Sequence, residues 1–483
     1  MTLLMSFVFI VSSVPQLDAQ NIDQEARRYS GIMQNVFNFV QQHYVDEIDP
    51  KVLYEGALNG MFEALGDPHS TYLEGMDMTD LNDTTEGNFG GVGLLITKAV
   101  EARPDGKPLW VEVASPIEDT PGWKAGINPG DFITAINGED TAPLTMDEVL
   151  ERLRGEEGTE VTLQIRRGER LDFPVVLERA IIEVPSVKQA MIGKTGYLRI
   201  TTFTPMTAAR AQDALDYFKT QNYDSLIIDL RYNYGGLLNS AIDISDLFLE
   251  GGVVVSTKSR IASENRTFTA RRSTEVPADM PIIVLINVGS ASASEIVAGA
   301  LKDRNRAYLV GEKSYGKGSV QQLFNLDRND SSGFKLTTAR YYTPSDVNID
   351  KIGIPPDREV LLPTITDDEA IVLNQLINDN KIPTFVEENP NATKAQTAAF
   401  IESLSSEYKI DQSWLKQLMR NEQNRTVTAP VYDLEYDIQL QEAVKILESG
   451  DYPELMKNAK TLKQLQDEAS QEDAETETED DAA

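Results

Sequence analysis

The sequence predicts a multidomain α/β protein, on three observations. At 483 residues the chain exceeds what one hydrophobic core usually organises, and its length fits about three domains. The short solid apolar run from Pro281 to Ile286 reads as a buried strand, and a helical pattern follows it at residues 295–306, with Ile296, Val297, Ala300 and Leu301 apolar. Further helical patterns lie towards both ends of the chain. Hydrophobic residues at 41%, with 17 Tyr and 3 Trp, suffice for ordinary cores and argue against wholesale disorder.

The elements follow in order. Leu3 to Val11 is apolar, too short to span a bilayer but the size of a signal h-region. With Leu17-Asp-Ala19 as an imperfect cleavage site, residues 1–19 are expected to be a signal peptide, although no Lys or Arg precedes the run. That points to export, to a periplasmic or other extracytoplasmic location. Residues 22–85 form a helical region, in which Tyr29, Ile32, Met33, Val36, Phe37 and Val40 recur at helical spacing. Residues 86–182 are glycine-rich and strand-like, and 183–362 hold the α/β core. Residues 363–450 carry helical patterns at 367–378, 393–408, 412–423 and 436–447, broken by Pro and Asn. Residues 451–483 are expected to be a disordered acidic tail: from Asp467 to Asp481 there are nine acidic residues and no basic one. No other segment is long and apolar enough to be an integral membrane span.

The chemistry concentrates in Asn287-Val-Gly-Ser-Ala-Ser-Ala-Ser-Glu295 and Glu312-Lys-Ser-Tyr-Gly-Lys-Gly-Ser-Val-Gln321. The first is a small-residue turn between a strand and a helix. Such a turn exposes a hydroxyl, and the helix N-terminus behind it favours developing negative charge. Ser292 is the candidate nucleophile. Lys317 sits in a second glycine-flanked turn, and a desolvated neutral lysine can act as the base a serine needs. The plain alternative is a flexible loop in which Ser294 caps the helix and Lys317 is solvated. Only two histidines, His43 and His69, exist to build a Ser-His-Asp triad, and neither is near the Ser turn in sequence. The chain has no cysteine, which excludes a thiol nucleophile and Cys-based metal sites. No metal site and no cofactor is expected.

These segments resemble the carboxyl-terminal processing, or tail-specific, serine proteases with a Ser/Lys dyad. The likeness extends to Gly196-Tyr-Leu-Arg-Ile-Thr-Thr-Phe203, to Leu226-Ile-Ile-Asp-Leu-Arg-Tyr-Asn-Tyr-Gly-Gly-Leu-Leu238, to Lys351-Ile-Gly-Ile-Pro-Pro-Asp357 and to a short piece near Asp437. It covers roughly residues 30–360. The resemblance implies Ser292 as nucleophile, Lys317 as general base and Gln321 as the residue that holds the lysine. Residues 317 and 321, four apart on a strand, would point to one face. The oxyanion donors it implies are the backbone N–H groups of Ala293 and of Gly235 or Gly236. The chain departs from the family at Tyr232 and Tyr234, where Asn and Pro are usual, so Tyr234 lacks proline's fixed φ.

Asn88-Phe-Gly-Gly-Val-Gly-Leu-Leu-Ile96, with the segment from Ala114 to Gly138, looks like a bacterial PDZ domain. Gly91, Val92 and Gly93 are carboxylate-loop candidates, because successive N–H groups can cradle a chain-end carboxylate. Leu94 and Ile96 are groove candidates, on a strand with an edge free for an extended peptide. A helix from Thr145 to Leu153 would form the other wall. The fold implied is N-terminal helices, a PDZ β-sandwich inserted ahead of a mixed α/β protease core of the crotonase-like type, and a helical C-terminal accessory region. The function implied is a serine endopeptidase that captures exposed C-termini of exported proteins. The alternative is a PDZ peptide-binding scaffold with a gated or silent protease core. Expected partners are protein or peptide substrates with exposed C-termini, an activating adaptor protein and a second copy in a homodimer. The formal net charge of −33 argues against nucleic acid or an anionic membrane surface as partner.

Overall fold

The protein is described by a computed structural model over residues 24–74, 88–99, 108–117, 120–128, 130–168, 171–183, 185–271, 273–326, 332–362, 366–424 and 430–480. The expected signal peptide lies outside the described residues.

The core is a six-stranded sheet in the order Val187–Ile192, Thr195–Ile200, Ser225–Asp229, Ile282–Ile286, Tyr308–Gly311, Arg358–Glu359. The first pair is antiparallel and the rest are parallel. The solid apolar runs follow from burial on both faces. Leu226, Ile228, Ile282, Val284, Ile286 and Leu309 pack on one side with helices Thr207–Thr220, Leu238–Asp246 and Ala293–Asp303. Their alternates Ile227, Ile283, Leu285, Tyr308 and Val310 face helices Ile438–Ser449 and Tyr452–Asn458. A second sheet joins Thr71–Leu73, Gly333–Tyr342, Gly252–Ser259 and Arg266–Ala270, and Ser319–Asn325 pairs with Gly333–Tyr342.

A separate antiparallel sheet runs Leu94–Lys98, Val111–Pro116, Phe132–Ile136, Glu160–Arg167, Leu171–Glu178, with Glu139–Asp140 against Phe132–Ile136. Helix Met146–Leu153 closes it through buried Val149 and Leu153; its N-terminus is fixed by a capping box between Thr145 and Glu148. The strands Asn88–Gly91 and Ala180–Glu183 pair with each other and tie this domain to the core.

Three regions differ from expectation. The region expected to be a disordered tail, 451–483, begins with ordered structure. Tyr452 is buried and its hydroxyl donates to the Ile282 carbonyl, Leu462 joins the core, and a helix runs Leu462–Asp480. Helix Lys381–Glu388 fills what the sequence reads as a break. Pro383 is its third residue, a first-turn position whose N–H has no partner within a helix anyway. With Asp367–Asn378, Lys394–Tyr408 and Gln412–Asn424 it encloses its own apolar core. Helix Gln24–His43 forms as expected but buries none of its residues: Tyr29, Ile32, Met33, Val36 and Phe39 all stand exposed.

Candidate active site

Strand Ile282–Ile286 ends in a turn stiffened by its own side chains. Asn287 Oδ1 accepts the N–H groups of Gly289 and Tyr232 at 3.0 Å each. Ser290 Oγ donates to the Leu230 carbonyl and accepts the Asn287 N–H. The turn delivers Ser292 at φ +54°, ψ −111°, a conformation that costs a non-glycine residue on the order of 1–3 kcal/mol and is characteristic of functional turns. Helix Ala293–Asp303 begins at the next residue and is buried from Ala293 to Lys302. Its first-turn N–H groups, Ala293's among them, have no acceptor within a helix and carry the positive end of the dipole. Ser294, the expected cap, lies inside the helix instead, with Oγ donating to the Asn233 carbonyl.

The segment Asp229 to Gly236 runs beside this turn. Here side chains do what the missing proline would. Buried Asn233 accepts the Gly235 N–H on Oδ1 at 2.9 Å and donates from Nδ2 to the Ile200 carbonyl. Its own carbonyl accepts the Ala291 N–H. Gly235, at φ +107°, lies so close that a Cβ there would sit 2.9 Å from Ser292 Cβ and 3.0 Å from Ala293 N. The Gly235 N–H is engaged by Asn233, and the next residue, Gly236, abuts the Phe203 backbone. Arg231 anchors the start of the segment: it pairs with Asp229 at 2.6 Å and with Asp437, 206 residues away, at 2.6 and 2.7 Å. Tyr197 completes the cluster by donating to Asp229. Tyr232 and Tyr234 point outward and are exposed.

The second turn meets the first through Glu295, which is fully buried. Glu295 Oε2 accepts the Ser292 N–H and the Lys317 N–H, both at 2.8 Å. Oε1 accepts the Gly316 N–H at 2.7 Å and the Ser314 hydroxyl at 2.6 Å. Burial holds the Lys317 amine below its ordinary value, the nearby Lys335 adds to this, and Glu295 and Asp67 oppose it. A lowered lysine is one that reaches its neutral, proton-accepting form more readily.

Two expectations at the lysine change. Lys317 lies outside the strand Ser319–Asn325, whose partner strand Gly333–Tyr342 carries one extra residue, Thr338, opposite Val320 and Gln321. Strand alternation therefore does not extend to Lys317, and Gln321 Nε2 donates to Ser319 Oγ and Thr337 Oγ1; among the described residues no hydrogen bond joins it to Lys317. His69, remote in sequence, is folded into this neighbourhood. Its ring is held below its ordinary value by burial first and by the Lys317 charge second. The turn carrying it is locked by Ser70 Oγ, which donates to Asp67 and accepts the Thr337 N–H. His43 instead stacks on Phe39 in the exposed first helix.

At the second sheet-bearing domain, Leu94–Lys98 is an edge strand. Leu94 and Ile96 pack partly against the cluster that holds Val149 and Leu153 of the helix. Gly93 is at φ +71° and presses on Thr120, Val92 is buried, and Gly91 pairs with Ala180. The residues not singled out in the sequence are Asn233, Glu295 and Asp437. For Glu295 a signal existed: it stands three residues after Ser292, the spacing of a capping box.

Three protein families match this chain. Peptidase family S41 matches residues 194–360, a PDZ domain residues 112–167, and the N-terminal domain of the activating protease CtpB residues 11–77. The carboxy-terminal-processing protease of Bartonella bacilliformis is 40% identical over 359 residues, 73% of this chain and 79% of that one. The carboxyl-terminal-processing protease of Synechocystis sp. is 38% identical over 316 residues, 64% of this chain and 71% of that one. Among solved structures, the photosystem II D1 C-terminal processing protease aligns with 71% of this chain and 95% of its own, at 27% identity and a TM-score of 0.42.

Proposed function

The chain belongs to peptidase family S41 as a carboxy-terminal-processing serine protease with a PDZ domain, and on that premise we propose how its residues divide the work. The edge strand Leu94–Lys98 and helix Met146–Leu153 take an extended substrate end. The N–H groups around Gly91, Val92 and Gly93 receive its carboxylate. Neutral Lys317 takes the Ser292 proton while Oγ attacks the scissile carbonyl. The oxyanion forms against the N–H groups of Ala293 and Gly236, each worth on the order of 3 kcal/mol at such a site. Lys317 then gives its proton to the leaving amine, and water, deprotonated by the same amine, hydrolyses the acyl-enzyme.

The single observation that carries this reading is the shared Glu295 oxygen. It sets the backbones of Ser292 and Lys317 on one acceptor, so nucleophile and base belong to one rigid unit. The test is cleavage of an unfolded protein by wild type, Ser292→Ala and Lys317→Ala, in the presence of a metal chelator. Loss in both variants with wild-type folding supports the dyad. Near-full rate in Lys317→Ala overturns it and makes His69 the first base to examine.

A gated resting form of the same enzyme is favoured by one observation: among the described residues, Ser292 Oγ and Lys317 Nζ share no hydrogen bond and Gln321 is turned to Ser319 and Thr337. In that form wild type stays slow until a peptide with a free C-terminus or an adaptor is added. The exposed apolar stripe on helix Gln24–His43 supports pairing with a second copy, and sedimentation of wild type against Val36→Glu tests it. The Leu3 to Val11 run supports export of a signal-cleaved protein; the N-terminal sequence of the mature chain checks this.

A further inference from the structure

We infer that Glu295 is the positioning residue of the catalytic unit: its carboxylate registers the nucleophile turn against the base turn. The inference rests on the reading of Ser292 and Lys317 as the reacting pair.

The two turns are distant pieces of chain, joined at one backbone contact in which the Tyr315 N–H donates to the Ser290 carbonyl at 3.0 Å. One follows strand Ile282–Ile286 and the other follows strand Tyr308–Gly311. These strands are neighbours in the sheet, so the turns leave the same edge, but sheet pairing ends at Gly311 and does not reach Lys317. What continues the registration is a carboxylate with no exposed surface. It takes four hydrogen bonds from two segments of loop: Ser292 N–H from one, and Lys317 N–H, Gly316 N–H and Ser314 Oγ from the other. Ser314 in turn accepts the Ile354 N–H at 2.7 Å, which ties in the segment after strand Gly333–Tyr342. Every group facing the carboxylate donates and none accepts, and that is the surrounding of an ion. Burial holds the carboxyl above its ordinary value, and the four donors offset only part of that rise.

A purely structural cap would need only the Ser292 side of this arrangement. The Lys317 side gives Glu295 a second effect. Its negative charge raises the affinity of the Lys317 amine for a proton, against burial and Lys335, with Asp67 acting in the same sense and the His69 ring close by. Positioning and tuning thus come from one group, and they separate experimentally.

Glu295→Gln keeps the shape, but its amide NH2 must face at least one of the three backbone N–H donors. Steady-state cleavage of a fluorogenic peptide by the full chain should show kcat lowered at least tenfold with KM within threefold. The acid limb of kcat/KM should move to lower pH, because the charge that favoured protonated Lys317 is gone. Glu295→Asp keeps the charge but is one methylene too short to hold both turns. It should lower kcat by about a hundredfold, the loss typical of a reacting group misplaced by about 1 Å, without moving the limb to lower pH. If Glu295→Gln does not fold, Glu295→Asp decides alone. Wild-type kcat in either folded variant overturns the inference, as does an acid limb in Glu295→Gln that stays in place or moves up. Ser292→Ala is run alongside: if it cleaves at the wild-type rate, the underlying dyad reading has failed rather than the role of Glu295.

Discussion

Replacing Gly235 by alanine probes how tightly the glycine segment abuts the nucleophile. The new methyl group would lie 2.8 Å from the Ala291 carbonyl oxygen, 2.9 Å from Ser292 Cβ and 3.0 Å from Ala293 N. All three are backbone or near-backbone atoms of the Ser turn, so neither side can yield by rotating a side chain. The backbone at φ +107° adds a penalty on the order of 1–3 kcal/mol. Relief requires the two segments to part by several tenths of an ångström, and the parts that move are the nucleophile and an oxyanion donor. A displacement approaching 1 Å lowers rates by about a hundredfold, and that is the expected fall in kcat/KM, carried by kcat. Gly126→Ala is the control: φ is +72° there and no atom lies within 4 Å of the added methyl. It should lose comparable stability and keep full activity. Initial rates on a fluorogenic peptide and urea melts of both variants make the comparison. A Gly235→Ala protein with wild-type kcat would refute the close approach on which the oxyanion assignment depends.

Lys335→Ala removes a positive charge that holds the Lys317 amine down, so the amine's proton affinity rises and the acid limb of kcat/KM should shift to higher pH; an unchanged limb would show that Lys317 is not the titrating base. Asp437→Ala leaves the nearly buried Arg231 with Asp229 as its one remaining carboxylate and the Gln439 amide oxygen and should cost about 3 kcal/mol of unfolding free energy, measured by urea titration, with kcat falling because Arg231 anchors the Gly235–Gly236 segment. In the PDZ domain, amidating a substrate's C-terminus should raise KM about tenfold in wild type and have little effect in Ile96→Asp, since loss of the groove removes the advantage of a free carboxylate; equal KM values for acid and amide in wild type would argue against end capture.

Much of this was legible in the sequence. The solid run before Asn287 had to be a strand buried on both faces, because no alternation of polar residues interrupts it, and its neighbours Ile283 and Val284 do face opposite sides of the sheet. The Ser292 turn was legible because small residues and a helix pattern follow such a strand directly. Partnership was not legible. Gln321 is four residues from Lys317, but the strand begins only at Ser319, and the Gln321 amide is held by Ser319 and Thr337. Arg231 meets Asp437 across 206 residues, and His69 reaches the Lys317 turn through a strand pairing of Thr71–Leu73 with Gly333–Tyr342. Tyr452 lies ahead of the acidic run, and its helix is placed on the core by the apolar packing of Tyr452, Leu455, Met456 and Ala459 together with the hydroxyl's bonds to strand Ile282–Ile286.

The central claim is that Ser292 attacks the substrate and Lys317 activates it. Its most direct test is covalent labelling with a serine-directed phosphonate ester, followed by mass spectrometry of the digested protein. A single adduct is expected on the peptide that contains Ser292, formed faster as pH rises and lost in Lys317→Ala while Gln321→Ala still labels. An adduct elsewhere, or one on Ser292 at an undiminished rate in Lys317→Ala, would contradict the assignment.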